Sequence, residues 1–305
     1  MKAVKQAFLW AMCCGAWSCT SPVDPASLPD SPTQGKIHIS VDETYKPVIE
    51  EQLAVHHASF PQTTIVAEYK PEADCFRDLQ QDSTRMIIVG RGLTEKEADF
   101  YKSSLSYKPQ YGVLAYDAVA LVVNKEAPDS IFTFDRVRDI LSGKDKTTAV
   151  MDGRSATSTV RFLQDSVLKG SSFGKNVVAV DNSEAVLDVV SRRKDLIGFV
   201  GFSWIGDAYD PGQRALLNKL RLAMVECTAC LENGVFAKPS QATVTRGEYP
   251  FRRPIYYILK ENTNQLGTGF MNFMSLERGQ LIFRRAFLAP AKMAFHRRNG
   301  SIKEE

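Results

Sequence analysis

The chain has 305 residues, 44% of them hydrophobic and 24% charged, a globular composition long enough for two modest cores. The formal charge is +3, and the first 18 residues hold Lys2 and Lys5 but no acid, so the remainder carries +1. A chain this close to neutral offers no electrostatic case for nucleic acid, and none is expected as a partner.

The N-terminus pairs Lys2 and Lys5 with a short apolar run over residues 8–16, then Ala16-Trp17-Ser18-Cys19. The run is too short to span a bilayer and predicts a signal peptide over 1–18. A small residue before Cys19, then a Pro-, Ser- and Asp-rich stretch, resembles the lipobox and tether of bacterial lipoproteins. Cys19 would then carry a lipid that holds the chain to a bilayer, with 19–34 as anchor and tether. An ordinary secretory signal cleaved nearby is the plainer alternative.

Further on, Ile37-His38-Ile39-Ser40-Val41 alternates apolar and polar and predicts a strand. A helical stripe starts at Tyr45, with Pro47 in its first turn, where a missing N–H costs little. A strand is expected over 63–69 and a helix over 72–81. Met86-Ile87-Ile88-Val89 is a fully apolar run, as for a buried parallel strand, and it ends in Gly90-Arg91-Gly92. Thr94 and Glu97 then form a capping box. The alternation resumes with a strand over 118–124, a helix over 133–141, a strand over 148–151 and a helix over 158–169. Strands over 177–180 and 197–202 flank a helix over 183–193. Strands over 222–225 and 254–259 and two amphipathic helices complete the pattern, and 296–305 reads as a frayed tail. Alternating strands and helices predict an α/β sheet.

Six cysteines are present, of which Cys75, Cys227 and Cys230 lie beyond the signal. Cys227 and Cys230 have C-x-x-C spacing, but no second pair or nearby histidine completes a zinc site, so no metal is expected. They read as structural cysteines, reduced or bridged.

Strand-to-helix turns suit anions, because unpaired N–H groups at a helix start favour negative charge. Two such turns carry hydroxyls. One is Ser40-Val41-Asp42-Glu43-Thr44; the other, Asp152-Gly153-Arg154-Ser155-Ala156-Thr157-Ser158-Thr159, leads into a helix. The hydroxyls could equally serve as plain helix caps. Arg91, between two glycines, could fork onto a tetrahedral oxyanion or be a surface arginine in a turn. No enzyme motif is present: G-x-S-x-G, H-E-x-x-H and the P-loop are all missing, and His38, His56, His57 and His296 fall outside both turns. Neither catalytic residues nor a cofactor are expected.

Three segments resemble the phosphate-binding proteins of bacterial ABC transporters. Gly247-Glu248-Tyr249-Pro250-Phe251-Arg252-Arg253-Pro254-Ile255-Tyr256 is similar to the family's G-x-Y-P-L-x-R-P-L-Y. Ile197-Gly198-Phe199-Val200-Gly201 is similar to I-G-Y-V-G. Phe270, Phe273, Gly279-Gln280 and Phe287-Leu288-Ala289-Pro290 match its terminal pattern. Weaker support comes from the stretch that starts at Asp117-Ala118-Val119 and runs to Asn124.

The resemblance implies an α/β, two-lobed periplasmic binding protein type II fold with two hinge strands. Residues 35–117 and 250–295 would form one lobe and 118–249 the other. It implies a monomer in the periplasm, lipid-anchored to the cell envelope, that captures an oxyanion between the lobes and passes it to an ABC permease. That oxyanion would be inorganic phosphate. The alternative is an envelope sensor or interaction lipoprotein with another ligand or partner. Anion contacts are expected from Asp42, Glu43, Thr44, Arg91, Asp117, Arg154, Ser155, Thr157 and Ser158. Ser155 and Thr157 match the family's D-G-S-G-T loop, with Ala156 in place of its second Gly. The acids at Asp42 and Glu43 depart from the Gly- and Ser-rich first loop of the family. One of them could accept the proton of monohydrogen phosphate.

Overall fold

The expected strands assemble into a ten-stranded sheet, except that residues 224–226 join a separate three-stranded sheet, in a computed structural model that describes residues 30–153 and 157–292. In chain order the elements are β1 (Gly35–Asp42), α1 (Lys46–Ser59), β2 (Thr63–Lys70), α2 (Glu72–Leu79), β3 (Thr84–Val89), α3 (Glu95–Leu105) and β4 (Gln110–Asn124). They continue with β5 (Ile131–Phe132), α4 (Phe134–Ser142), β6 (Thr148–Asp152), α5 (Ser158–Phe162), β7 (Val177–Val180), α6 (Ser183–Arg192) and β8 (Leu196–Gly201). The last are α7 (Pro211–Leu217), β9 (Leu220–Leu222), β10 (Met224–Glu226), β11 (Phe236–Ala237), α8 (Gln241–Arg246), β12 (Arg252–Leu259), α9 (Leu266–Ser275), α10 (Glu277–Arg285) and β13 (Ala289–Pro290).

The strand order β2-β1-β3-β12-β4-β8-β6-β7 divides the sheet into two parallel-stranded halves. β1 lies parallel to β2 and β3 in the first half, and β6 lies parallel to β7 and β8 in the second. β4 threads both: its first part pairs antiparallel with β12 as far as Ala118, and its second pairs with β8 from Val119. The chain therefore crosses once along β4 and returns along β12. Parallel strands need both faces covered, which explains their apolar composition. Ile39, Val41, Ile88, Leu121, Val150 and Phe199 all belong to one continuous core.

Several expectations shift. The strand at 118–124 begins at Gln110, because Tyr111, Gly112 and Tyr116 hide its alternation. The helix at 158–169 is five α-helical residues continued by a π-helical turn, Leu163–Val167. The strand at 222–225 is two short strands that part at Ala223. β5, β11, α7 and α8 are too short for periodicity to announce. The Thr94–Glu97 capping box is present. Cys227 and Cys230 form a disulfide, and Cys75 is a buried thiol. The signal segment 1–18, Cys19, most of the tether, Arg154, Ser155 and the tail from 296 lie outside the described residues.

Candidate functional site

β1 and β6 belong to different halves, yet their C-terminal ends meet. β1 alternates as far as Ile39 and then runs fully into the interior, so its last residue, Asp42, has no exposure. The Asp42 carboxylate turns back to cap the next turn: Oδ1 accepts from the Thr44 backbone N–H at 2.9 Å. Its other oxygen crosses to the second half, where Oδ2 accepts from the Ser158 N–H at 2.8 Å. Ser158 opens α5, whose N-cap is Thr157; the Thr157 hydroxyl accepts from the Val160 N–H and donates to Asp152 Oδ1. Asp152 ends β6 and also accepts, through Oδ2, from the hydroxyls of Thr44 and Ser183, each at 3.3 Å. Glu43 reaches the start of α6, where its carboxylate accepts from the Ser183 N–H at 3.2 Å and hydroxyl at 2.9 Å.

Arg253 closes the cluster from the hinge. In the β12–β4 register it stands directly opposite Asp117, and both are buried. Its Nε and Nη2 donate to Asp117 Oδ2 at 3.1 and 2.8 Å. Its Nη1 donates to the hydroxyls of Ser158 and Thr159 at 3.1 and 3.2 Å. Nearby, Glu72 accepts from the Gly90 N–H at 2.7 Å and pairs with Arg161 of α5. Two glycines permit these approaches. A Cβ on Gly90 would lie 2.8 Å from Ser158 Cβ, and one on Gly201 would lie 2.5 Å from Thr44 Cγ2.

Of the expected contact residues, Asp42, Glu43, Thr44, Asp117, Thr157 and Ser158 converge here. Arg91 does not. Its guanidinium forks onto Glu97, 2.8 Å to each oxygen, and lies over the Phe76 ring at 3.8 Å. Glu97 sits at the third position of α3, within reach of the turn that carries Arg91, so the local pair takes the side chain. Those hydrogen bonds hold the Glu97 carboxyl down to about 2. Arg253, Asp152, Ser183, Thr159, Glu72 and Arg161 complete the cluster and were not anticipated as contacts. The signal for Arg253 was the second of two arginines at the start of a strand that is otherwise apolar or aromatic, at a position that alternation turns inward.

Among the described residues the cluster sets five carboxylates, of Asp42, Glu43, Glu72, Asp117 and Asp152, against the guanidiniums of Arg161 and Arg253. Burial raises the carboxyl of Asp42, with Glu72 adding to it. Burial, then the charge of Asp152, pushes Glu43 up to about 7. Burial, then Asp42, pushes Asp152 up to about 6. Asp117 is also raised by burial, although Arg253 opposes the shift. A carboxyl raised by folding stays protonated in the folded chain at pH values where the unfolded chain has released that proton. It therefore favours the fold as pH falls through the window from about 7 to about 4. We expect a higher melting temperature at about pH 5.5 than at about pH 8. A melting temperature that climbs steadily to pH 8 contradicts the shifts of Glu43 and Asp152.

Among the described residues the arrangement has no nucleophile–base pair aimed at an open space. A cavity of about 460 Å³ is lined by Lys70, Asp74, Arg77, Asp78 and Gln81, and another of about 380 Å³ by Glu50, Leu53, His56, His57 and Thr63; neither shares a residue with the cluster. What the cluster offers is donors: the backbone N–H groups of Thr44, Gly90, Ser158 and Ser183, several hydroxyls and the guanidiniums of Arg161 and Arg253, most of them directed at carboxylate oxygens.

A family model described as the PBP superfamily domain matches residues 26–277. The phosphate-binding protein PstS of Pseudomonas aeruginosa is 22% identical over 312 residues, covering 92% of each chain. A solved Clostridium perfringens protein, assigned as a phosphate ABC transporter substrate-binding protein and holding phosphate, superposes with a TM-score of 0.68 at 20% identity. That likeness covers 85% of this chain and 100% of that one. An ABC-type phosphate transport receptor from Vibrio cholerae gives a TM-score of 0.61 at 16% identity over 83% and 99% of the two chains. These structures share the two-lobed α/β fold.

Proposed function

Since the chain belongs to the PBP superfamily, we propose that it is a solute-binding protein that captures inorganic phosphate between its two halves for delivery to an ABC permease. The observation that carries this reading is the set of amide donors at Thr44, Ser158 and Ser183. Each already donates to a carboxylate oxygen, so their spacing and direction suit an oxyanion. Arg253 adds the fixed positive charge that a divalent anion needs. The buried carboxyl of Asp152 adds a group that can accept the proton of monohydrogen phosphate, a proton that sulfate lacks. The relatives named as phosphate-binding and phosphate-transport proteins support the same ligand. No bond of the ligand would be broken, so the protein is a carrier and not an enzyme.

The remaining parts of the proposal follow from this role. Residues 35–117 with 250–295 form one lobe and 118–249 the other, and closure about the hinge strands buries the anion. The protein works as a monomer in the periplasm, held to the membrane by a lipid on Cys19. The contact residues are Thr44, Thr157, Ser158, Ser183 and Arg253, together with Arg154 and Ser155; Asp117 orients Arg253, and Asp42 and Glu43 hold the donors until the anion takes their place.

Calorimetric titration tests the reading. Phosphate is expected to bind one-to-one, and sulfate to give at least about 100-fold weaker binding, or about 2.7 kcal/mol. If neither anion gives heat or a thermal shift, the phosphate assignment fails and the reading as a sensor or interaction lipoprotein takes its place.

A further inference from the structure

We propose that Asp42 and Glu43 are tethered anions that latch the two halves together and compete with the free anion for its own donors. The competition rests on the phosphate reading; the latch does not.

The geometry is specific. Asp42 and Glu43 follow β1 in the first half, and the amides they hold, at Ser158 and Ser183, start α5 and α6 in the second. Thr44 and Asp152 form a third cross-half bond, and Glu72 and Arg161 a fourth. The chain thus supplies both sides of the grip from its own side chains. Each of the two carboxylates spends both oxygens: Asp42 on Thr44 and Ser158, Glu43 on the amide and hydroxyl of Ser183. A bidentate carboxylate on helix-start amides presents oxygens much as one edge of a tetrahedral anion does. Because it is tethered, its effective concentration at those donors is on the order of millimolar or higher. A free anion then binds only to the fraction of molecules whose donors are released, and its apparent affinity falls by that fraction.

The latch is therefore a threshold. The halves stay together at low phosphate, and the anion exchanges with carboxylates rather than with water. Each exchange replaces one charge-assisted set of hydrogen bonds by another, so most of the gain in closing is already spent before the ligand arrives.

Two isosteric variants test this, Glu43→Gln and Asp42→Asn, with small-angle scattering in phosphate-free buffer followed by phosphate calorimetry. The unaltered protein is expected to be compact without phosphate. Glu43→Gln is expected to have a larger radius of gyration without phosphate, to contract when phosphate is added, and to bind it at least about tenfold more tightly. An unaltered protein that is already expanded without phosphate overturns the latch, and so does a Glu43→Gln variant that gains affinity without expanding, since relief of charge repulsion alone explains that. Expansion of the variant with no phosphate binding by any form keeps the latch and rejects the phosphate reading. Should Asp42→Asn fail to fold, amide hydrogen exchange in the unaltered protein decides: protection of Ser158 and Ser183 without phosphate supports the latch, and free exchange at both overturns it.

Discussion

Replacing Arg253 by methionine is expected to cost the fold about 3–5 kcal/mol, the penalty for stranding a buried charge whose partner has been removed. Arg253 is 1% exposed and Asp117 has no exposure, so no water is at hand to take over the lost hydrogen bonds. Four further acids, Asp42, Glu43, Glu72 and Asp152, lie in the same cluster, and removal of one of its two guanidiniums leaves them facing one another. A domain of this kind is stable by about 5–15 kcal/mol, so the variant sits near its unfolding threshold. Urea unfolding checks the size of the loss. The double variant Arg253→Met with Asp117→Leu is expected to recover much of it, because an apolar pair of similar volume carries no desolvation cost. A loss under about 1 kcal/mol in the single variant would mean that the pair is solvated, as exposed ion pairs are.

Gly90→Val is expected to separate the halves and to lower phosphate affinity about 10- to 100-fold. Gly90 directly follows β3 in the first half, and its missing side chain leaves just enough space for Ser158 of the second. A Cβ there would stand 2.8 Å from Ser158 Cβ, 2.9 Å from the Tyr45 hydroxyl and 3.0 Å from Arg161 Nη2. Ser158 and Tyr45 are wholly buried and cannot swing aside. Overpacking of this kind costs about 1–3 kcal/mol. Two of the three nearest atoms, on Ser158 and Arg161, belong to the other half, so opening the hinge relieves most of the strain, and only the Tyr45 contact lies within the first half. Each 1.4 kcal/mol of that relief is about tenfold in affinity for a ligand gripped from both sides. Scattering gives the expansion and calorimetry the affinity; native affinity in this variant would place the anion elsewhere.

The contrast between Arg91 and Arg253 shows what the chain sequence discloses about its site. Both arginines follow or join an apolar strand, and the turn around Arg91 looked the better oxyanion clamp because of its glycines. What separates them is long-range: Asp117 lies 136 residues from Arg253 and meets it only through the β12–β4 register. Glu97, by contrast, is a local partner that captures Arg91, and the capping box already pointed to it. The turns at Asp42 and Asp152 were legible, because parallel strands bring their C-terminal ends to one edge. Ser183 was not, since a serine that opens a helix reads as an ordinary cap until Glu43 is seen to reach it from the other half. The same holds for Glu72 and Arg161, which pattern alone places on solvated helix faces. β1, β3 and β8 could be read from alternation or from unbroken apolar runs, whereas β4 showed only its second part. The one-residue offset that makes Asp42 both a cap for its own turn and a partner for Ser158 depends on packing between halves, which no local pattern records.

The central claim is that one anion is held by amides from both halves. Following the backbone amide resonances of Thr44, Ser158 and Ser183 as phosphate is added tests it at the atoms concerned. All three are expected to shift together along a single binding curve, as phosphate oxygens replace those of Asp42 and Glu43. Shifts confined to one half, or three resonances that stay fixed while phosphate binds, would contradict it.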